Sequence, residues 1–351
     1  MFRKIPYTPA ELKVIGMTPP FRKRPGHPIR NNPVSARQNL DAVFYEKKPF
    51  WMPTSHDMPM MESQIYLDNL GRVSHDNTDV FGIDWVFVPA VGGSIVRPGT
   101  PLLDNANNWR EKIRIPDIDQ WDFEKEAEGV VLDPRFPHEF AFLNGFWFER
   151  LISFMDFMPA AMALIDDEQT DAIKELFQAT TDMACKLVSK ICSLYPMVDF
   201  FNVHDDWGAQ KAPFFSQEVA FELFVPFMKQ LTDHIHSLGR KATLHSCGHN
   251  ETRVEAYIAG GFDQWAPQPM NDIKSLYDKY GDQIIFSVWP DKFDPAATPE
   301  EEQRAIARKL VDDFSEPGKP VILGQNGTWA LTPAFSDELY EYSRKKYLEI
   351  N

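Results

Sequence analysis

His245 and Cys247, past the middle of the chain, have the residue types and spacing for metal chemistry. They stand in Arg240-Lys241-Ala242-Thr243-Leu244-His245-Ser246-Cys247-Gly248-His249, which reads as a short strand, Lys241 to His245, running into a turn at Gly248. Residues two apart on an extended chain point to the same side. The spacing therefore predicts an imidazole and a thiol converging at the strand end, which is half of a zinc site. The plain alternative is a buried thiol beside a hydrogen-bonded imidazole, since His-x-Cys arises often by chance.

Other predicted strands end in groups of similar reactivity. Pro49 to Pro53 leads to His56-Asp57, Val198 to Val203 leads to His204-Asp205-Asp206-Trp207, and Pro320 to Gly324 leads to Gln325-Asn326. Any one of these could be a helix cap or a buried hydrogen-bond partner. Clusters at the same end of successive strands favour a site.

The elements that must position these groups alternate. Apolar spacing predicts helices over 35–47 and 166–195, and over 216–238 with a kink at Pro226. A strand over 262–265, a helix over 273–280, a strand over 283–288, a helix opened by a capping box at Thr298-Pro299-Glu300-Glu301, a strand over 320–324 and a helix over 336–348 follow. Strand candidates near residues 50 and 86 and over 140–148 raise the count toward eight. Alternation of this kind means parallel strands with crossover helices. The expected fold class is α/β, a (β/α)8 TIM barrel over residues 35–351 as a single domain with an N-terminal arm, residues 1–34. The arm carries a capping box at Thr8-Pro9-Ala10-Glu11 and then the breaks Thr18-Pro19-Pro20 and Arg24-Pro25-Gly26. A doubly wound sheet is the alternative, but no Gly-rich phosphate turn follows any strand. Cys185 and Cys192, seven apart on one helix face, read as small core residues. Phe142, Trp147, Trp207, Trp265 and Trp289 are candidate pocket walls.

Composition narrows the function classes. The chain has 351 residues, 43% of them hydrophobic, and a net charge of −15. An acidic surface argues against nucleic acid and anionic membranes as partners. No apolar run approaches a membrane span, and residues 1–30 lack an apolar signal core. Three cysteines are too few for a disulfide framework, so a cytoplasmic location is expected.

The stretch from His204 onward resembles the uroporphyrinogen decarboxylase-like superfamily. The matching pieces are Asp205-Asp206-Trp207-Gly208, Phe224-Val225-Pro226-Phe227, His245-Ser246-Cys247-Gly248, Ala259-Gly260-Gly261-Phe262-Asp263, Tyr280-Gly281-Asp282 and Thr298-Pro299-Glu300-Glu301. The resemblance implies the barrel and a funnel-shaped site at its C-terminal mouth. The porphyrinogen decarboxylases of this superfamily carry an Arg-Gln-Ala-Gly-Arg motif that grips substrate carboxylates; here Ala36-Arg37-Gln38-Asn39 is the nearest match. The cobalamin-dependent methyltransferase branch uses His-x-Cys as zinc ligands, which implies His245 and Cys247. Its third ligand is commonly a Cys in a Gly-Cys-Gly turn, where this chain has Gln325-Asn326-Gly327. Zinc with one thiolate and neutral ligands keeps more positive charge and better polarises an ether oxygen.

What the resemblance implies is a methyltransferase that removes methyl from a methoxylated, aromatic compound. Zn2+ would sit on His245 and Cys247, with a third ligand from Asp205, Asp206, His204 or Asn326. Asp206 and Asp205 are the candidate catalytic groups, and His204, Trp207, His56, Gln325 and Asn326 the candidate substrate-binding groups. The methyl acceptor would be a corrinoid (cobalamin) on a separate corrinoid protein, because no Asp-x-His-x-x-Gly pattern occurs here. The alternatives are a metal-free decarboxylase or lyase on the same barrel, a methylcobalamin-to-acceptor methyltransferase, and a non-catalytic binding protein for a corrinoid or a small aromatic molecule.

Overall fold

The computed structural model describes residues 4–18, 26–61, 63, 65–66, 76–90 and 93–351. Residues 19–25, which hold most of the expected Pro-rich breaks, lie outside the described residues. In chain order the strands are β1 (Val14–Met17), β2 (Pro28–Arg30), β3 (Met60–Met61), β4 (Asn77–Thr78), β5 (Asp84–Val88), β6 (Gly93–Val96), β7 (His138–Phe142), β8 (Val198–His204), β9 (Lys241–His245), β10 (Gln264–Ala266), β11 (Ile285–Val288) and β12 (Val321–Leu323). The chain divides into two compact units. The first comprises Met1–Pro59, Asp133–Pro137 and Asp272–Asn351, the second Met60–Leu132 and His138–Asn271.

The second unit carries five parallel strands in the order β10-β9-β8-β7-β3. Parallel neighbours need crossover connections. Helices Phe148–Met155, Phe157–Ala163 and Thr170–Leu194 lie between β7 and β8, Val225–Ser237 between β8 and β9, and Val254–Ala259 between β9 and β10. The faces of the sheet differ. Phe140, Phe142, Phe201, Val203, Leu244 and Trp265 are buried on one face among aromatic neighbours, with Phe142 stacked on Phe201 at 6.1 Å and Trp265 against Tyr257 at 5.2 Å. The other face is polar. Asn202, Thr243 and Gln264 align across β8, β9 and β10, and His204, His245 and Ala266 align one step further on.

Local sequence explains the departures from expectation. The strand expected over 140–148 stops at Phe142, because Gly145 turns the chain at φ +45° where a Cβ would overlap the His204 carbonyl. Helix Phe148–Met155 starts directly afterwards. The strand near residue 86 is real, but it belongs to a separate antiparallel sheet, β4-β5-β6. Two-residue β3, too short to show a period, takes the place beside β7. The expected kink at Pro226 takes the form of a π-turn over Ala220–Phe224 ahead of helix Val225–Ser237, which accommodates the missing proline N–H. Cys185 and Cys192 are half-buried, not core, and burial pushes the Cys185 thiol up to about 11.

In the first unit β11 pairs in parallel with β12. Helices Ile273–Tyr280, Glu300–Asp313 and Pro333–Ile350 accompany them. The strand expected over 49–53 is reduced to one parallel bridge, Thr54 to Leu323. Pro49 and Pro53 cannot donate to a ladder. The amides between them go elsewhere: those of Phe50 and Trp51 to Asn39 Oδ1, that of Met52 to Ser343 Oγ. Thr298 is not a helix cap; Pro299 occupies that position, and the Thr298 carbonyl accepts Gln303 Nε2 instead. In the N-terminal segment β1 and β2 pair antiparallel. Glu11 of the Thr8 box is buried against Arg344 and Tyr340. Among the described residues, no helix is long and apolar enough to cross a membrane.

Candidate metal centre

The ends of β8 and β9 bring Asp206, His245 and Cys247 together. One ligand atom from each lies within 4.8 Å of the others, and all three side chains are half-buried. His245 Nδ1 lies 2.9 Å from the Ala266 carbonyl on the paired strand β10. A carbonyl only accepts, so Nδ1 carries the proton and Nε2 is left with its lone pair. Nε2 lies 3.2 Å from Cys247 Sγ. Ligand bond lengths for tetrahedral zinc put a nitrogen and a sulfur about 3.5 Å apart, so the pair needs to shift only slightly to share one ion. Asp206 Oδ1 accepts the Cys247 amide at 2.6 Å, and the second carboxylate oxygen remains for a ligand. The donor set of carboxylate, imidazole and thiol fits a divalent zinc-type ion.

Three neighbours hold this arrangement. Gln268, in the turn after β10, accepts the Gly248 amide on Oε1 at 2.8 Å, which aims its NH2 at Cys247 Sγ, 3.2 Å away. Asn250 donates to Ser246 Oγ and to the Cys247 carbonyl, and Asn271 donates to the Gly248 carbonyl. Gly248 itself has φ +96°, and a Cβ there would overlap the Gly208 backbone, so the turn requires glycine at this position. Sequence reading missed Gln268, Asn250 and Asn271. Only the knowledge that β10 lies beside β9 would single out Gln268.

The adjacent aspartates have opposite surroundings. Asp205, expected as a catalytic group with Asp206, is fully buried. Its carboxylate accepts the Phe148 and Glu149 amides at 3.3 and 2.9 Å and Trp207 Nε1 at 2.6 Å, so it caps the helix Phe148–Met155 from a neighbouring strand. Burial pushes it up to about 7 despite these donors. Trp207, expected in substrate binding, is also fully buried, packed on Phe215, Phe224 and Tyr257. Phe142, Trp147 and Trp265 are likewise core residues, not pocket walls. His204 is the expected binding residue that stands at the cluster, its ring 4.8 Å from that of His245.

The remaining candidates lie in the first unit. His56 stacks on His27 with ring centroids 3.3 Å apart. Its neighbour Asp57 accepts the Thr54 amide at 2.8 Å, and burial raises its pKa to about 6. Gln325 and Asn326 are exposed at the start of the 3-10 turn Gln325–Ala330, where the Asn326 carbonyl accepts Trp329 Nε1. Arg37, of the nearest match to the decarboxylase motif, donates to the Pro134 and Phe136 carbonyls at 3.0 and 2.7 Å. It thus spends hydrogen bonds on backbone that a carboxylate grip would need.

No protein family model matches the sequence, and no curated protein matches it. Among solved structures, a methyltransferase from Methanosarcina mazei aligns with a TM-score of 0.53 at 13% identity, over 89% of this chain and 85% of that one. Xylanase B from Clostridium stercorarium F9 aligns at 0.31 and 11% identity, over 54% of this chain and 67% of that one. A xylose isomerase-like TIM barrel protein from Mycobacterium smegmatis in complex with magnesium aligns at 0.32 and 12% identity, over 85% of this chain and 99% of that one. The chain is thus similar in fold to the Methanosarcina mazei methyltransferase.

Proposed function

We propose that this protein is a zinc-dependent methyltransferase on a (β/α)8-type scaffold. It would move a methyl group from a methoxylated aromatic compound to the cob(I)alamin of a separate corrinoid protein. The observation that carries this reading is the convergence of Asp206, His245 and Cys247 on one point at the strand ends. The fold likeness to a methyltransferase supports it. Asp206, His245 and Cys247 would hold the ion, with Asp206, one of the four candidates for the third ligand, in that role. When bound, zinc supplies Lewis acidity toward the ether oxygen.

The reaction must break the methyl–oxygen bond and form a methyl–cobalt bond. The cobalt contributes the electron pair, and the departing oxygen keeps the pair of the broken bond and ends with a proton. The chain's residues set the conditions for this. With Asp206 as the third ligand, the centre would have a second anionic donor beside Cys247 in place of a neutral one. Its electron demand rests instead on a carboxylate oxygen being a harder, weaker donor than a second thiolate. The Gln268 N–H aimed at Cys247 Sγ withdraws further density from the sulfur. His204, beside His245, is the polar group at the cluster able to meet the substrate oxygen or its proton.

The test is metal analysis of the purified protein, followed by loss of the cob(I)alamin absorbance when a methoxylated arene and a corrinoid protein are supplied. One zinc per chain, with transfer abolished in His245→Ala, is the expected result. A metal-free protein that still transfers methyl would sink the proposal.

A further inference from the structure

The polar face of the sheet holds one acid that the proposed reaction does not use. Glu139 lies on β7, two residues before Ala141, and Ala141 aligns with Asn202 of β8 and through it with Thr243 of β9. Glu139 therefore points to the same face as Asn202 and Thr243. The hydrogen bonds there run in one direction. Asn202 Nδ2 donates to Thr243 Oγ at 2.8 Å, and the Thr243 hydroxyl donates to Glu139 Oε1 at 3.0 Å. Asn202 is a donor at that nitrogen, so Thr243 must spend its own proton on Glu139. This fixes one carboxylate oxygen of a side chain that is half-buried and not sealed in the core. Among the described residues no cation neutralises Glu139: burial raises its pKa to about 7, and the Thr243 hydroxyl opposes this. A structural carboxylate in such a place would be paired or fully hydrogen-bonded.

Thr243 also provides a ruler. It stands two residues before His245 on the same strand face, and two strand residues span about 7 Å. That is the length of a benzene ring carrying substituents at opposite ends. We infer that Glu139 is the distal substrate-recognition residue of the proposed methyltransferase, accepting a hydrogen bond from a hydroxyl para to the methoxy group that is held at His245 and Cys247. The inference rests on the proposed function for the identity of the near end. It adds that the substrate class is a para-hydroxylated methoxyarene, and that an ortho-hydroxyl falls short of the acid.

The test is calorimetric binding to the zinc-loaded protein with three probes: 4-methoxyphenol, 2-methoxyphenol and anisole. The expected result is 4-methoxyphenol binding about tenfold or more tighter than either of the others, as a hydrogen bond to an acid gives. In Glu139→Gln the gap should close, with anisole affinity and zinc content unchanged. Thr243→Val, which frees the carboxylate from its fixed orientation, should close it in part and serves if the first variant does not fold. Equal affinities in the unmutated protein, a gap that survives Glu139→Gln, or no binding of any probe would each overturn the inference. The two proposals fail separately. A para preference that depends on Glu139, without methyl transfer to cob(I)alamin, leaves the subsite standing and removes the reaction. Transfer from anisole and 4-methoxyphenol alike, indifferent to Glu139, does the reverse.

Discussion

Polar groups converge in both units, and they converge differently. In the first unit Glu11 and Arg344 form an ion pair with both side chains almost completely buried. Arg344 Nε meets Glu11 Oε2 at 2.9 Å, the Tyr340 hydroxyl donates to the same oxygen at 2.7 Å, and the Thr8 amide takes Oε1 at 3.0 Å. The other end of the guanidinium holds the Ile5 carbonyl at 2.9 Å. Charge and hydrogen-bonding capacity are used up internally. In the second unit Asp206, His245 and Cys247 each make a bond that orients the side chain, and one potential ligand atom of each lies within 4.8 Å of the other two. A cluster that closes on itself holds a fold together, whereas one that is oriented but left open is built to receive something.

Breaking the closed cluster should have the largest effect on folding. Arg344→Met leaves Glu11 buried without its cation and should cost about 3–5 kcal/mol of stability, read by urea denaturation. His245→Ala removes a half-buried ring and its hydrogen bond to the Ala266 carbonyl and should cost about 1 kcal/mol. Equal losses would remove the distinction between the clusters. Ligand affinity should respond the opposite way. His245→Ala or Cys247→Ala should weaken zinc by more than about 100-fold, beyond what an outer-shell partner costs, in competition with a chromophoric chelator, while Arg344→Met leaves it unchanged where folded.

The same distinction separates two adjacent residues. Asp205→Asn turns an amide NH2 toward donors and should destabilise the protein by about 1–3 kcal/mol with zinc retained. Asp206→Asn should lose zinc with stability nearly intact. Thermal unfolding with and without zinc reads both effects, and identical behaviour of the two variants would contradict the geometry.

This pair also marks how far the sequence could be read. The two-residue period of a strand was enough to bring His245 and Cys247 side by side. It says that Asp205 and Asp206 differ in direction, but not which one faces the cluster. That depends on helix Phe148–Met155, whose start depends in turn on a strand that stops at Phe142 because Gly145 turns the chain. The alternation of strands and helices in the second half was legible because each element has its own period and caps. The first half was not. A run such as Phe50 to Met52 looks like a strand, but its amides are taken by Asn39 and Ser343, far away in the sequence. Met60–Met61 is too short to have a pattern.

An acid whose burial is opposed by no cation among the described residues gives a pH signature. The pKa of Glu139 rises from 4.5 to about 7 on folding, so between those values the folded chain keeps a proton that the unfolded chain releases. Stability is therefore highest below about pH 4.5 with respect to this group and falls as pH rises toward 7, with a slope of up to about 1.4 kcal/mol per pH unit. Asp205, also raised to about 7, adds a decline in the same window. Glu139→Gln should remove its own share, so the unfolding free energy of the variant falls less steeply from pH 5 to 7. Parallel curves would show that Glu139 finds a cation in solution, and would return it to the class of closed, structural acids.

The smallest effect should come from Gln268, which touches the open cluster without belonging to it. Its carboxamide is held by the Gly248 amide at one end and faces Cys247 Sγ at the other, so its orientation is fixed before any ion arrives. Gln268→Leu keeps the volume roughly the same and removes only the N–H directed at sulfur. Zinc affinity should fall about 10-fold, the lower end for an outer-shell partner, with stability within about 1 kcal/mol. Cobalt(II) substituted for zinc reports the same contact directly, because removing a donor from the thiolate should move its sulfur-to-metal charge-transfer band to lower energy. An unmoved band would mean that the amide only packs against the turn. In that case the preorganisation of the sulfur would come from Asp206, Asn250 and Gly248, through the backbone on either side of Cys247.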